Sequence, residues 1–88
     1  MIRRHVVLHG RVQGVGFRFS LLERARARGV AGWVRNRGDG TVEGVFEGDG
    51  DVVDALVEWC HRGPRGATVT DVDVRDERPE GLRSFDVR

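Results

Sequence analysis

The sequence predicts an α+β domain in which two helices cover one face of an antiparallel β-sheet. Three observations carry this. Valine-bearing segments with strand-like alternation recur four times, with a short apolar segment at the end of the chain. Two stretches, one after the first such segment and one after the third, switch to helical spacing instead. Finally, 88 residues make one domain, 1–88, because a chain of this size buries only about 60% of its unfolded surface and cannot support a second core.

The elements follow in chain order. Arg4 to His9 is β-branched and partly alternating, and it stops at the glycines of Gly10-Arg11-Val12-Gln13-Gly14-Val15-Gly16, so it is read as a strand and a loop. From Phe17 to Arg28 the apolar residues Phe17, Leu21, Leu22 and Ala25 form a helical stripe, with Glu23, Arg24, Arg26 and Arg28 opposite. Gly29 supplies the stop. Val30 to Arg35 and Thr41 to Glu47 are two strands. Asn36-Arg37-Gly38-Asp39-Gly40 between them is turn chemistry, so they form a hairpin.

Asp49 and Asp51 offer capping carboxylates to a second helix with Val52, Val53, Leu56, Val57 and Cys60 on one face, ending near Gly63-Pro64. Val69 to Arg75 alternates again as a fourth strand, and Phe85 to Val87 adds a short fifth. The order β-α-β-β-α-β, with both helices needing cover, predicts a split β-α-β, ferredoxin-like sandwich.

Composition removes several functions. Apolar residues at 39% and charged residues at 33% fit a globular chain that is neither disordered nor membrane-spanning. No apolar run follows the basic start, so no export signal is expected, and a cytoplasmic location is. Fifteen basic against 14 acidic residues leave a net charge of +1, which does not favour nucleic-acid backbones or lipid headgroups as partners. Every basic residue is arginine. The absence of lysine excludes a Walker-type phosphate loop and any Schiff-base mechanism. The single cysteine, Cys60, cannot form an internal disulfide and sits on an apolar helix stripe as a core residue.

Chemistry is expected at two places. Gly10 to Arg18 is a glycine-bearing loop that runs straight into a helix start, where backbone N–H groups and the positive dipole end can meet one anion. Arg18, in the first turn, can add a bidentate guanidinium to the same anion. Asn36 closes the second strand, and its neutral amide can both donate to and accept from a water. Read singly, a glycine-rich connection, a surface arginine and a turn asparagine are the commoner roles of these residues. His5, His9 and His61 are scattered over a strand and a helix end, with no nearby cysteine pair or carboxylate at ligand spacing, so no metal site is expected. Trp33 and Trp59 read as core residues, and the acids Asp71, Asp73, Asp76 and Glu77 as a solvated strand face.

Two stretches carry a resemblance. Gly10-Arg11-Val12-Gln13-Gly14-Val15-Gly16-Phe17-Arg18 is similar to the first acylphosphatase signature. Gly32-Trp33-Val34-Arg35-Asn36, followed by Gly40-Thr41-Val42-Glu43-Gly44, is similar to the second. The resemblance covers nearly the whole chain and implies hydrolysis of acyl phosphates to a carboxylate and inorganic phosphate, without metal or cofactor. It implies that Arg18 binds phosphate, that Asn36 orients the attacking water, and that Gln13, Gly14, Val15, Gly16 and Phe17 form the backbone cradle. Thr41 matches a supporting position, and flanking residues such as Phe19 bear on substrate preference.

The expected protein is therefore a monomeric acylphosphatase acting on a small-molecule acyl phosphate. Two other readings share the fold. One is a nucleic-acid-binding module, which the absence of tyrosine and the acidic fourth strand oppose. The other is a non-catalytic acyl- or carbamoyl-phosphate-binding module, like the acylphosphatase-like domain of hydrogenase-maturation proteins.

Overall fold

A computed structural model describes all residues, Met1–Arg88. The elements run β1 (Ile2–Arg11), α1 (Phe17–Arg28), β2 (Ala31–Asn36), β3 (Val42–Gly48), α2 (Gly50–Cys60), β4 (Thr68–Glu77) and β5 (Phe85–Val87). The five strands form one sheet in the order β4-β1-β3-β2-β5. Helix α1 packs over β2 and β5, and α2 over β1 and β3, both on the same face.

Alternation decides which side chains face the helices. Val6 and Leu8 of β1, Val34 of β2, and Val42 and Phe46 of β3 point into the core, where Phe17, Leu21, Ala25, Val53, Leu56, Val57 and Cys60 of the helices meet them. The other phase is mostly polar, with His5, His9, Arg35, Glu43, Asp71 and Asp73 on it, although Val45 and the Arg3 and Glu47 pair of this phase are buried. Trp59 is buried and meets Phe17 edge-on at 5.5 Å between ring centroids. Trp33 departs from the expectation of a core residue. It lies in the outer phase of β2, half-buried, with the guanidinium carbons of Arg88 and Arg35 at 4.8 and 5.8 Å from its ring centroid.

The sheet also departs from the expected antiparallel one, because β5 pairs parallel to β2, with Gly32 opposite Phe85 and Val34 opposite Val87. The reason lies in the path of the chain. Strand β4 ends where Glu77 pairs with Arg3 of β1. That is the end of the sheet at which β2 begins, since Ala31 pairs with Glu47 and Glu47 with Arg3. Residues 78–84 cross this end from one edge to the other, so β5 must start beside the start of β2 and run with it.

Glu47 pins the crossing segment at its midpoint. Its carboxylate, 1% exposed, accepts hydrogen bonds from the backbone N–H groups of Glu80 (2.8 Å), Gly81 (3.1 Å) and Leu82 (3.0 Å) and from Arg3 Nη1 (2.6 Å). Burial by itself raises this carboxyl's pKa. The backbone donors and Arg3 outweigh it and hold the pKa below the ordinary carboxylate value.

Candidate active site

The opposite end of the sheet, where β1, β2 and β5 finish and α1 begins, holds an open pocket of about 270 Å³. Val12, Gly14, Gly16, Phe17, Arg18, Phe19, Asn36 and Val87 line it.

The loop from β1 to α1 is built by glycines with two different tasks. At Gly10, φ is 111°, and a Cβ would collide with the carbonyl oxygen of Thr68, so glycine is required by the close approach of β4. At Gly14 and Gly16, φ is 74° and 78°, yet a Cβ on either would meet nothing within 4 Å. There glycine serves the left-handed backbone alone, and the space before it is the pocket. Val12 is buried and roots the loop in the core, with Val15 packed against the same cluster.

The two helix starts differ sharply. α2 begins in the ordinary way, with the Asp49 side chain accepting from the Asp51 N–H at 3.3 Å and Asp51 itself in the first turn. α1 starts from Gly16 with no side-chain cap and no acid in its first turn, and it carries the exposed Arg18 there instead. A cation beside the positive end of a helix dipole is unfavourable unless an anion joins it. With its N–H groups uncapped and open space in front, this helix start is complementary to one.

Asn36 follows Gly32 and Val34 in the phase of β2 that faces the helices, and pairs with Val42 of β3. Since α1 lies over β2, that phase directs Asn36 into the same pocket as Arg18. The loop and the strand end are tied together by Gln13, whose Nε2 donates to the carbonyl oxygens of Arg37 at 2.8 Å and Thr41 at 3.0 Å. The turn beyond Asn36 is closed in its own right. The Arg37 N–H donates to the Thr41 carbonyl at 2.9 Å, while Asp39 Oδ1 accepts from the Thr41 hydroxyl (2.6 Å) and N–H (3.0 Å). These two bonds from Thr41 hold the Asp39 carboxyl below its ordinary pKa.

Of the residues singled out in the sequence, Arg18, Asn36, Gly14, Gly16 and Phe17 line one pocket. Gln13 and Thr41 stand behind it and brace the turn, and Val15 faces the core. Phe17 is fixed from behind by Gly63, where φ is 70° and a Cβ would lie 2.6 Å from Phe17 Cε2. Val12 and Val87 are pocket walls that sequence reasoning missed. They come from distant segments joined only by the fold.

The histidines correct one expectation. Along the chain no carboxylate adjoins His9, but β1–β4 pairing sets Asp71 opposite it and Asp73 beside it, with ligand atoms within 4.8 Å of one another. His9 Nε2 lies 3.0 Å from Asp73 Oδ2. His5 Nε2 similarly lies 2.7 Å from Glu43, which also accepts from Arg35 Nε at 2.6 Å. Both groups are on the outer face of the sheet, away from the pocket. Cys60 matches its expected role, fully buried with its thiol pKa pushed well up by burial.

A sequence model of the acylphosphatase family matches residues 4–87. The chain is 57% identical over 88 residues to an acylphosphatase of Trichormus variabilis, covering 100% of this chain and 87% of the relative. It is 57% identical over 86 residues to one from Thermococcus kodakarensis, of which it covers 94%. Among solved structures, acylphosphatase from Bacillus subtilis superposes with a TM-score of 0.95 at 39% identity, over 100% of this chain and 99% of that one. Such identity along almost the full length of free-standing acylphosphatases does not favour a non-catalytic module. The two signatures, the fold and these relatives agree, and the chain belongs to the acylphosphatase family of hydrolases.

Proposed function

We propose that the pocket hydrolyses acyl phosphates by direct in-line attack of water on phosphorus, with Arg18 and the 13–17 backbone holding the phosphoryl group and Asn36 aiming the water. The observation that carries this is the α1 start, uncapped and free of acids, with Arg18 in its first turn and Asn36 across an open pocket.

A carboxylate is a good leaving group, so the reaction asks mainly for positioning and for charge stabilisation over the equatorial phosphoryl oxygens. The backbone N–H groups and the Arg18 fork supply the second. Asn36 supplies the first by holding water opposite the departing acyl oxygen. The water oxygen bonds to phosphorus as the acyl C–O–P linkage breaks at its O–P bond, and the electron pair leaves with the carboxylate. No carboxylate or histidine lines the pocket, so the water's proton passes to a phosphoryl oxygen of the substrate, giving inorganic phosphate. No step draws on a metal or cofactor.

We read the enzyme as a cytoplasmic monomer that binds neither nucleic acid nor membrane. A lone, buried cysteine suits a reducing compartment, and no helix is long and apolar enough to cross a membrane. Asp71, Asp73, Arg75 and Glu77 charge the β4 edge, while β5 is only three residues long, and such edges resist pairing with another copy. Acidic side chains on the outer sheet face oppose a nucleic-acid backbone.

Benzoyl phosphate hydrolysis in the presence of a chelator, comparing wild type with Arg18→Ala and Asn36→Ala, tests the assignment. Expected are chelator-resistant turnover in wild type, loss of phosphate binding and turnover in Arg18→Ala, and reduced turnover with phosphate binding retained in Asn36→Ala. Equal phosphate affinity in wild type and Arg18→Ala overturns it.

A further inference from the structure

The pocket joins two polar side chains, Arg18 and Asn36, to an apolar lining. Four large apolar side chains of this protein are exposed, and two of them, Phe19 (63% exposed) and Val87 (43%), line this pocket. The other two are explained by position: Met1 is the first residue, and Val74 lies on the edge strand β4. Phe19 follows Arg18 in the first turn of α1, and Val87 stands on β5 opposite Val34. Behind them Val12 and Phe17 are buried. An exposed phenylalanine beside a site of charge recognition leaves apolar surface in water that a ligand can cover.

The charge balance of the lining points the same way. Arg18 is the only charged residue of the pocket, and Asn36 the only other one with a polar side chain. Once Arg18 is engaged on the phosphoryl group, no cation remains to pair with an acidic acyl chain and no anion with an amino-bearing one. A charged acyl group would then lose water without gaining a partner.

We propose that Phe19 and Val87 form the acyl-group subsite, and that it selects acyl phosphates whose acyl group is uncharged and apolar, aromatic or branched aliphatic, over short or anionic ones. The proposal rests on the placement of the phosphoryl group at Arg18. Phe19 and Val87 contribute through contact with the acyl group and take no part in bond breaking, so their effect falls on selectivity. A half-open wall places that effect near the lower end of what apolar pockets achieve, roughly tenfold.

The test is a set of kcat/KM ratios for benzoyl, acetyl and succinyl phosphate, with the inhibition constant of inorganic phosphate measured alongside, in wild type, Phe19→Ala, Phe19→Leu, Phe19→Arg and Val87→Ala. Wild type is expected to prefer benzoyl over succinyl phosphate by roughly tenfold or more. In Phe19→Ala the benzoyl-to-acetyl ratio falls roughly tenfold, mainly through KM, and Val87→Ala lowers it less, while phosphate inhibition stays within about twofold. Phe19→Leu restores most of the ratio, which a purely structural role for the aromatic ring would not predict, and Phe19→Arg moves preference toward succinyl phosphate. The proposal is overturned if the ratios do not change in Phe19→Ala, or if wild type prefers the anionic substrate. A failure of the phosphoryl placement reads out separately, as phosphate inhibition that survives Arg18→Ala.

Discussion

The side-chain amide of Gln13 donates to the carbonyl oxygen of Arg37 at 2.8 Å, bridging the glycine loop and the turn that follows Asn36. A second bond from the same nitrogen, to the Thr41 carbonyl at 3.0 Å, makes it a two-point clamp. The two halves of the site, Arg18 and Asn36, lie 18 residues apart in the chain, and this amide links their segments directly.

Removing the clamp is expected to loosen the alignment of Asn36 with the phosphoryl cradle while leaving the cradle's backbone in place. Both carbonyls keep another donor, since Arg37 O accepts from the Gly40 N–H at 3.2 Å and Thr41 O from the Arg37 N–H at 2.9 Å. The stability cost of Gln13→Ala is therefore modest, about 1 kcal/mol. The functional cost is larger: kcat falls roughly tenfold and phosphate inhibition changes little. Steady-state kinetics with phosphate as inhibitor check this. An equal loss in phosphate affinity would show that Gln13 shapes the cradle rather than its alignment with Asn36.

Arg18 carries the opposite signature. Its place in an uncapped first turn opposes the helix dipole, so the free protein is expected to gain slightly from its removal. Arg18→Ala should be as stable as wild type or more so, by a few tenths of a kcal/mol, roughly the scale of one charge at a helix end. Adding millimolar phosphate should raise the Tm of wild type and not of the variant. Thermal melts with and without phosphate measure both effects. A variant that melts well below wild type in buffer alone would mean that Arg18 is structural.

Much of this architecture is legible in the chain because local rules agree with it. The stripe of Phe17, Leu21 and Ala25 and the stop at Gly29 give α1 the same bounds in sequence and structure, Phe17–Arg28. Strand ends shift by one to two residues where pairing carries the ladder past the valine-rich centre, as at Ile2 and Glu77. What stays hidden depends on register or path. Trp33 is as apolar as a core residue, yet its phase puts it outside, against two arginines. His9 meets Asp71 and Asp73 only once β1 pairs with β4. Val87 becomes a pocket wall only because β5 runs parallel to β2, and that direction follows from a strap whose anchor, Glu47, reads in the sequence as one more outer-face acid. The candidate site was legible at Arg18 and Asn36 because the signatures are local. Its apolar wall was legible only at Phe17 and Phe19, because Val87 joins it from the far end of the chain.

That anchor gives the sharpest stability prediction. Glu47 and Arg3 are ion-paired at 2.6 Å with their side chains 0% and 7% exposed, and the same carboxylate holds three backbone N–H groups of residues 80–82. Glu47→Gln leaves Arg3 buried with only its outer partners, Glu77 and Glu80, and is expected to cost about 3 kcal/mol at neutral pH. The carboxyl's pKa in the folded protein lies below its ordinary value of 4.5. Its contribution is therefore fully present above about pH 4.5 and is lost as pH falls through the folded-state value, because the unfolded chain then binds the proton more readily. Glu43, held low against the cost of its burial by His5 and Arg35, and Asp39 act in the same direction. Wild type should lose stability progressively as pH falls below about 4.5, and Glu47→Gln should show a shallower acid limb, since it has one carboxylate fewer to protonate. Freed from its anchor, the 78–84 strap should also be cut faster by trypsin after Arg83. Urea unfolding across that pH range, with limited proteolysis at pH 7, checks both outcomes. Parallel acid limbs in the two proteins would show that Glu47 contributes nothing to acid sensitivity, and equal cleavage rates would remove its role as the strap's anchor.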